Sequence, residues 1–215
     1  MSTRKTVFAD GEYYHVFNRG VDKRIIYADQ YDMDRFFKSL VEFNVVDPIG
    51  SLYENSFLQL GGPTAKLSER LVNIIAYCLN PNHYHLILEQ LVDGGISEFM
   101  KRLGGYAWYF NNKYERSGAL FQGRFKAIHI DSNEYLLHLS AYVNLNNKVH
   151  RIKGESFRSS WNEYLNKNKT SLSKLNIILR QFSNSGEYKD FAESSLKDIL
   201  GRKERRKEME GLLLE

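Results

Sequence analysis

Apolar and polar positions along the chain change period several times, and each change predicts an element. "EYYHVFNRG" alternates and is rich in tyrosine and valine, so it reads as a strand closed by Gly20. In "DQYDMDRFFKSLVEFNVV", Asp29 is placed to cap, and Met33, Phe36, Phe37, Leu40 and Val41 recur at helical period. "DPIGS" ends that helix, and residues 52–68 stay ambiguous around a loop-like "GGP". "LVNIIAYCLN" and "HYHLILEQ" are β-rich runs separated by "PN", which predicts a tight hairpin.

Beyond the hairpin, Ser97 can cap a helix whose stripe is Phe99, Leu103, Tyr106, Phe110 and Tyr114. The Gly104-Gly105 pair inside it marks a bend or a close approach. "ALFQGRFKAIHI" reads as extended, and Asp131 or Ser132 then caps a strong helix over "NEYLLHLSAYVNLNNKVHR". The last third is weaker: "SFRSSWNEYLN" reads as a loop around a buried tryptophan. "SLSKLNIILRQF" and "EYKDFAESSLKDIL" read as short helices, and "GRKERRKEMEG" as a frayed charged tail. This order predicts an α+β fold. Its expected form is a ferredoxin-like or RRM-like antiparallel sheet, with helices packed on one face and a small helical C-terminal extension. The expected division is residues 1–152 for the main domain and 153–215 for the extension.

Composition narrows the class. The 215 residues are 42% hydrophobic and 26% charged, ordinary globular values. There is no apolar run long enough to span a membrane and no signal-peptide core at the start, so no membrane partner is expected. The lone Cys78, in the apolar "NIIAYCLN", reads as buried packing and suits a reducing cytoplasm. Net charge is +4 and the pI about 9.0, which permits a nucleic-acid partner without demanding one. The charge is unevenly spread. Lys101, Arg102, Lys113, Arg116, Arg124 and Lys126 are interleaved with Tyr106, Trp108, Tyr109 and Phe110. That mixture suits phosphates and stacked bases, though composition alone favours a solvated helix face over an aromatic core.

Three short motifs carry candidate chemistry. In a strand, His83 and His85 project to one face and Tyr84 to the other, so the imidazoles form a pair of candidate metal ligands. In a helix, Tyr142 and Asn146 share a face and can be aimed at one point. Gln122 and Arg124, in the extended segment, can meet a phosphate. Each motif alone is equally compatible with ordinary packing. A water-using hydrolase would need a general base near the histidines, for which Glu89 is the candidate.

As an ordered set, "PNHYHLIL", "GALFQGRFKA" and "YLLHLSAYVNLNNKVHR" resemble the single-tyrosine HUH transposases, closest to the REP-associated tyrosine transposases. The resemblance includes "YHVFNRG", "FMKRLGGYAWYFNNKYERSG" and "SSWNEYL", and excludes residues 55–70. It implies a divalent metal, Mg²⁺ or Mn²⁺, on His83, His85 and Asn146, with Tyr142 as the nucleophile that forms a 5′-phosphotyrosine. The implied substrate is single-stranded DNA with a hairpin. Arg19, Lys23, Arg24, Lys101, Arg102, Tyr109, Lys113, Arg116, Gln122, Arg124 and Lys126 are candidates for DNA contact. Monomer and homodimer both stay open, and a domesticated, non-cleaving nucleic-acid binder is the alternative. The sequence departs from the family pattern twice. Asn147 stands where proline commonly follows the helix asparagine, so a longer helix is expected, and "NPNHYH" stands for the common "MPNHVH".

Overall fold

The computed structural model of the protein describes residues 6–47, 50, 52, 69–154, 156–166 and 171–212, with side chains described through residue 205. Apart from residue 52, the ambiguous stretch 52–68 lies outside the described residues.

The first element is strand β1, Tyr13–Arg19, followed by helix α1, Gln30–Glu42. Asp29 caps α1 as predicted, accepting a 2.8 Å bond from the Asp32 amide. The predicted hairpin is β2, Val72–Asn80, and β3, His83–Gln90. Next come α2, Gly95–Gly104, and α3, Tyr106–Lys113, so the glycine pair does break the helix. Helix α2 begins two residues before the expected Ser97 cap. Gly94 takes a left-handed φ of +68°, and a Cβ on Gly95 would lie 2.4 Å from the Leu71 carbonyl oxygen. Strand β4 is only Lys126–His129, a fraction of the extended segment expected there.

The strands order as β4-β1-β3-β2, every neighbouring pair antiparallel, and the helical crossovers come between β1 and β2 and between β3 and β4. That is the β-α-β-β-α-β arrangement of ferredoxin-like folds. A short β5, Arg158–Ser159, joins the far edge beside β2. The α+β antiparallel expectation therefore holds.

Helices cover both faces of the sheet, where one was expected. Tyr14, Val16, Ile74, Leu79, Tyr84, Leu86 and Leu88 form one core with Met33, Phe36 and Leu40 of α1 and Phe99, Leu103, Tyr106 and Phe110 of α2 and α3. Ile75, Ala76, Cys78 and Ile87 form the other with α4, Asn133–Asn144. It is completed by Tyr164 of α6, Trp161–Tyr164, by Ile178 of α7, Asn176–Leu179, and by Tyr188 and Ala192 of α8, Ser185–Leu212. Strands apolar on both faces need cover on both. Trp161 is only partly buried, and Tyr164 fills the interior in its place. Helix α8 runs unbroken over Ser185–Leu212, so the charged tail continues a helix instead of fraying from a short one. Lys203 Nζ donates to the Val149 carbonyl at 3.1 Å, which ties this helix down midway.

One irregularity positions the site. Strand β2 carries a bulge between Ile74 and Ala76. Before it, Val72 and Ile74 face the first core; after it, Ala76 and Cys78 face the second. One extra residue inverts the parity of a strand. Asn80 is thereby turned to the face that carries His83 and His85.

Candidate functional site

His83 and His85 project from the start of β3, their ring centroids 5.3 Å apart. Helix α4 crosses this face and brings the Tyr142 ring within 5.5 Å of His85, edge to face. The expected long helix breaks after Asn144. Leu145 takes φ −109° and ψ 17°, and a separate turn, α5, Asn146–Val149, follows. Asn147 does not extend the helix in place of proline. Asn146 still reaches the site: its Oδ1 lies 3.0 Å from His83 Nε2. The four side chains expected to act together therefore meet on one face.

Both histidines are held by their other nitrogens. His83 Nδ1 donates to Asn82 Oδ1 at 2.6 Å, which leaves Nε2 as the nitrogen that carries the lone pair, met by the Asn80 amino group at 2.9 Å. His85 Nδ1 is bonded to His15 Nε2 at 2.9 Å, which leaves His85 Nε2 for the cavity. His150 stacks edge-on to His83 at 4.7 Å. Burial lowers the affinity of all four imidazoles for a proton, to a pKa of about 4 for His15 and His150. In His85 the neighbouring His15, His83 and His150 add to the effect. Neutral imidazole is the form that binds metals.

Among the described residues no three His, Cys, Asp or Glu side chains are grouped to hold a metal. The Asn146 amide oxygen is the group that completes a set with the histidines. His83 Nε2 and Asn146 Oδ1 turn lone pairs toward each other, and Asn146 Nδ2 is buried with no partner. An amide so oriented, beside an acceptor and with its own donor unsatisfied, fits a cation site. Cys78 takes no part: it is buried, and its thiol pKa is pushed up to about 12.

His83 and His85 open on a cavity of about 540 Å³ lined in part by Arg19, Lys23, Gln122, Lys126, Tyr142 and His150, with the fully buried Asn146 behind them. Arg19 Nε donates to Gln122 Oε1 across its rim. The Lys23 loop is tied to the hairpin turn, since Gly20 N donates to the Asn82 carbonyl at 2.8 Å and Asn82 Nδ2 to the Lys23 carbonyl at 3.1 Å. Asp22 and Lys23 both have positive φ, 53° and 60°, a strained way to hold a cation at a rim.

The remaining residues expected to contact DNA lie elsewhere. Lys101 and Arg124 line a second cavity on the other face of the sheet, with Phe121 and Phe125. Arg24 is exposed and its Nε donates to the Val21 carbonyl. Four are engaged inside the protein. Arg102 pairs with Glu98 and donates to the carbonyls of Phe43, Val45 and Val46. Lys113 pairs with Asp29 and Asp32, and Tyr109 donates to Asp32. Arg116 bonds Asn111 and covers the Phe110 ring. Glu89, the candidate general base, sits at the far end of β3, four residues and about 13 Å beyond His85. It is occupied by Tyr13 and Asn73.

Sequence reasoning passed over His15, Asn80 and His150. His150 had a signal, because Tyr142, Asn146 and His150 are spaced by four. Asn80 had a faint one, as the first residue of "NPNHYH" where the common motif has methionine, and His15 had none, since strand pairing brings it in.

The fold and site define a class: a ferredoxin-like sheet whose paired histidines face a helix-borne tyrosine and an amide. Residues 64–146 match the family model for IS200-like transposases. A solved REP-associated tyrosine transposase bound to a REP hairpin is similar at 13% identity and a TM-score of 0.49, over 80% of this chain and 90% of that one. No curated protein matches the chain.

Proposed function

We propose that the protein is a metal-dependent transposase that nicks and rejoins single-stranded DNA at or near hairpins through Tyr142. The observation that carries this reading is that Tyr142, His83 and His85 line one cavity with Arg19, Lys23 and Lys126, while the buried Asn146 Oδ1 lies 3.0 Å from His83 Nε2 behind it. His83 Nε2, His85 Nε2 and Asn146 Oδ1 would hold the ion, Mg²⁺ or Mn²⁺. When bound, the ion supplies Lewis-acid polarisation of a phosphate oxygen and neutralises charge at phosphorus.

The chain's own groups do the rest. Arg19, Lys23 and Lys126 draw the phosphate into the cavity, and Gln122 orients Arg19. Tyr142 lies on the cavity wall with its phenol pKa raised by burial and drawn partly back by the nearby Asn146 amide, so it enters the reaction protonated. Its Oη attacks phosphorus, the P–O3′ bond breaks, and the departing oxygen leaves as a 3′-hydroxyl with the phenolic proton. The 5′-phosphotyrosine keeps the energy of the broken bond, so a second 3′-hydroxyl can reverse the step and join strands. An unpaired strand suits this reading, since the scissile phosphate must enter the site with its flanking bases unstacked.

The test is incubation of labelled hairpin oligonucleotides with the protein and Mg²⁺ or Mn²⁺. A covalent adduct that disappears in Tyr142→Phe is the expected result. An adduct that survives the substitution overturns the assignment of the nucleophile. Salt-sensitive binding with no adduct, indifferent to chelator and to His83→Ala, makes the protein a non-cleaving binder.

A further inference from the structure

Asn80 has no role in the reaction as described, yet it is the most tightly engaged amide at the site. It closes β2 with its side chain fully buried. Its Nδ2 donates to Asn146 Oδ1 at 2.7 Å and to His83 Nε2 at 2.9 Å. Its own Oδ1 faces Cys78 Sγ at 3.5 Å, a weak donor. One carboxamide therefore spends both of its hydrogens on the two lone pairs that a cation would need.

Asn82 forces this arrangement. With His83 Nδ1 donating to Asn82, Nε2 can only accept, and it lies 3.0 Å from another acceptor, Asn146 Oδ1. Two bare acceptors at that distance repel. The Asn80 amino group satisfies both and keeps them pointed at a common centre. A cation at that centre would need the same lone pairs, so the amino group and the ion exclude each other.

We propose that Asn80 is a stand-in for the metal: it holds His83 and Asn146 in position while the site is empty, and a divalent cation binds by displacing its amino group. The inference rests on the metal reading above. It makes Asn80 a positioning residue whose presence opposes cation binding. Removing the amino group leaves the empty site with two unsatisfied acceptors and gives the ion an uncontested one.

The experiment is Mn²⁺ titration of the full chain without DNA, followed by loss of the free Mn²⁺ spin-resonance signal. Wild type is compared with Asn80→Leu and Asn80→Ala, and His83→Ala reports binding at this site. We expect affinity to rise about tenfold in both Asn80 variants, since each lost hydrogen bond is worth roughly a factor of ten at most. The metal-free variants should melt earlier than wild type, with a larger gain on adding Mn²⁺. Unchanged affinity overturns the inference, and weaker affinity shows Asn80 to be a ligand instead. No Mn²⁺ binding by any of the proteins also overturns it, while the DNA adduct assay judges the wider reading separately. Should the variants fail to fold, wild type suffices: the Asn80 amide protons exchange slowly in metal-free protein and lose that protection with Mg²⁺. Protection that persists in Mg²⁺ rules the inference out.

Discussion

His15 Nε2 and His85 Nδ1 lie 2.9 Å apart in the interior, a histidine on the central β1 steadying the ring of a candidate ligand on β3. When the shared proton sits on His85 Nδ1, His85 Nε2 keeps its lone pair toward the cavity. His15→Phe keeps the stacking and removes the acceptor. Mn²⁺ affinity, read by the same titration, should fall about tenfold, as expected for loss of a partner behind a ligating histidine. An unchanged affinity would show that the ring needs no such support.

The same histidines set the acid response. An unfolded chain protonates near pH 6.5, whereas His15 and His150 in the fold do so only near 4, and His83 and His85 are lowered in the same direction. Between those values the unfolded state holds more protons, so stability falls as pH drops from 6.5 toward 4, and it is indifferent to these groups above 6.5. Urea midpoints measured across that window should show the slope, shallower in His15→Gln. A midpoint flat down to pH 4 would contradict the burial of these rings.

Asp32 and Lys113 test which cations are structural. Asp32 is fully buried and accepts from Lys113 Nζ and the Tyr114 hydroxyl, both at 2.8 Å, and from the Ala28 amide at 2.9 Å. Asp32→Ala leaves the partly exposed Lys113 with Asp29 alone, and should cost about 3 kcal/mol in denaturation, toward the low end for a broken buried pair. Lys113→Ala should lower stability and leave DNA affinity as in wild type. Lys126→Ala should do the reverse, weakening DNA binding and reducing its salt slope by about one.

Gly20 joins β1 to the Lys23 loop at a place with no room. A Cβ there would fall 2.1 Å from the Arg24 carbonyl oxygen. Gly20→Ala must push out the loop that carries Lys23, at roughly 2 kcal/mol in thermal unfolding, an ordinary overpacking cost. Wild-type stability in this variant would mean the loop yields freely.

The hairpin, the α1 cap and the helix break at Gly104-Gly105 were legible because each is a local matter of period and turn chemistry. His83 with His85 and Tyr142 with Asn146 were legible for the same reason. Asn80 was not. By simple alternation from Val72 it belongs to the opposite face, and only the bulge at Ile75 reverses it. Lys113 was misleading in the other direction. Its charge suggests phosphate, but its partners Asp29 and Asp32 lie about eighty residues away, and no spacing rule connects them. Cover on both faces of the sheet was hidden because the period of α4 shows that it is a helix but not which face of the sheet it packs against.

The interruption at Leu145 gives Tyr142 and Asn146 separate mounts. A continuous helix would act as one rod, so that any recoil of the tyrosine under the load of a tethered strand would drag the amide with it. With the joint at Leu145, Tyr142 and Asn146 ride on separate elements, and Asn146 is anchored beside His83 by the Asn80 amino group.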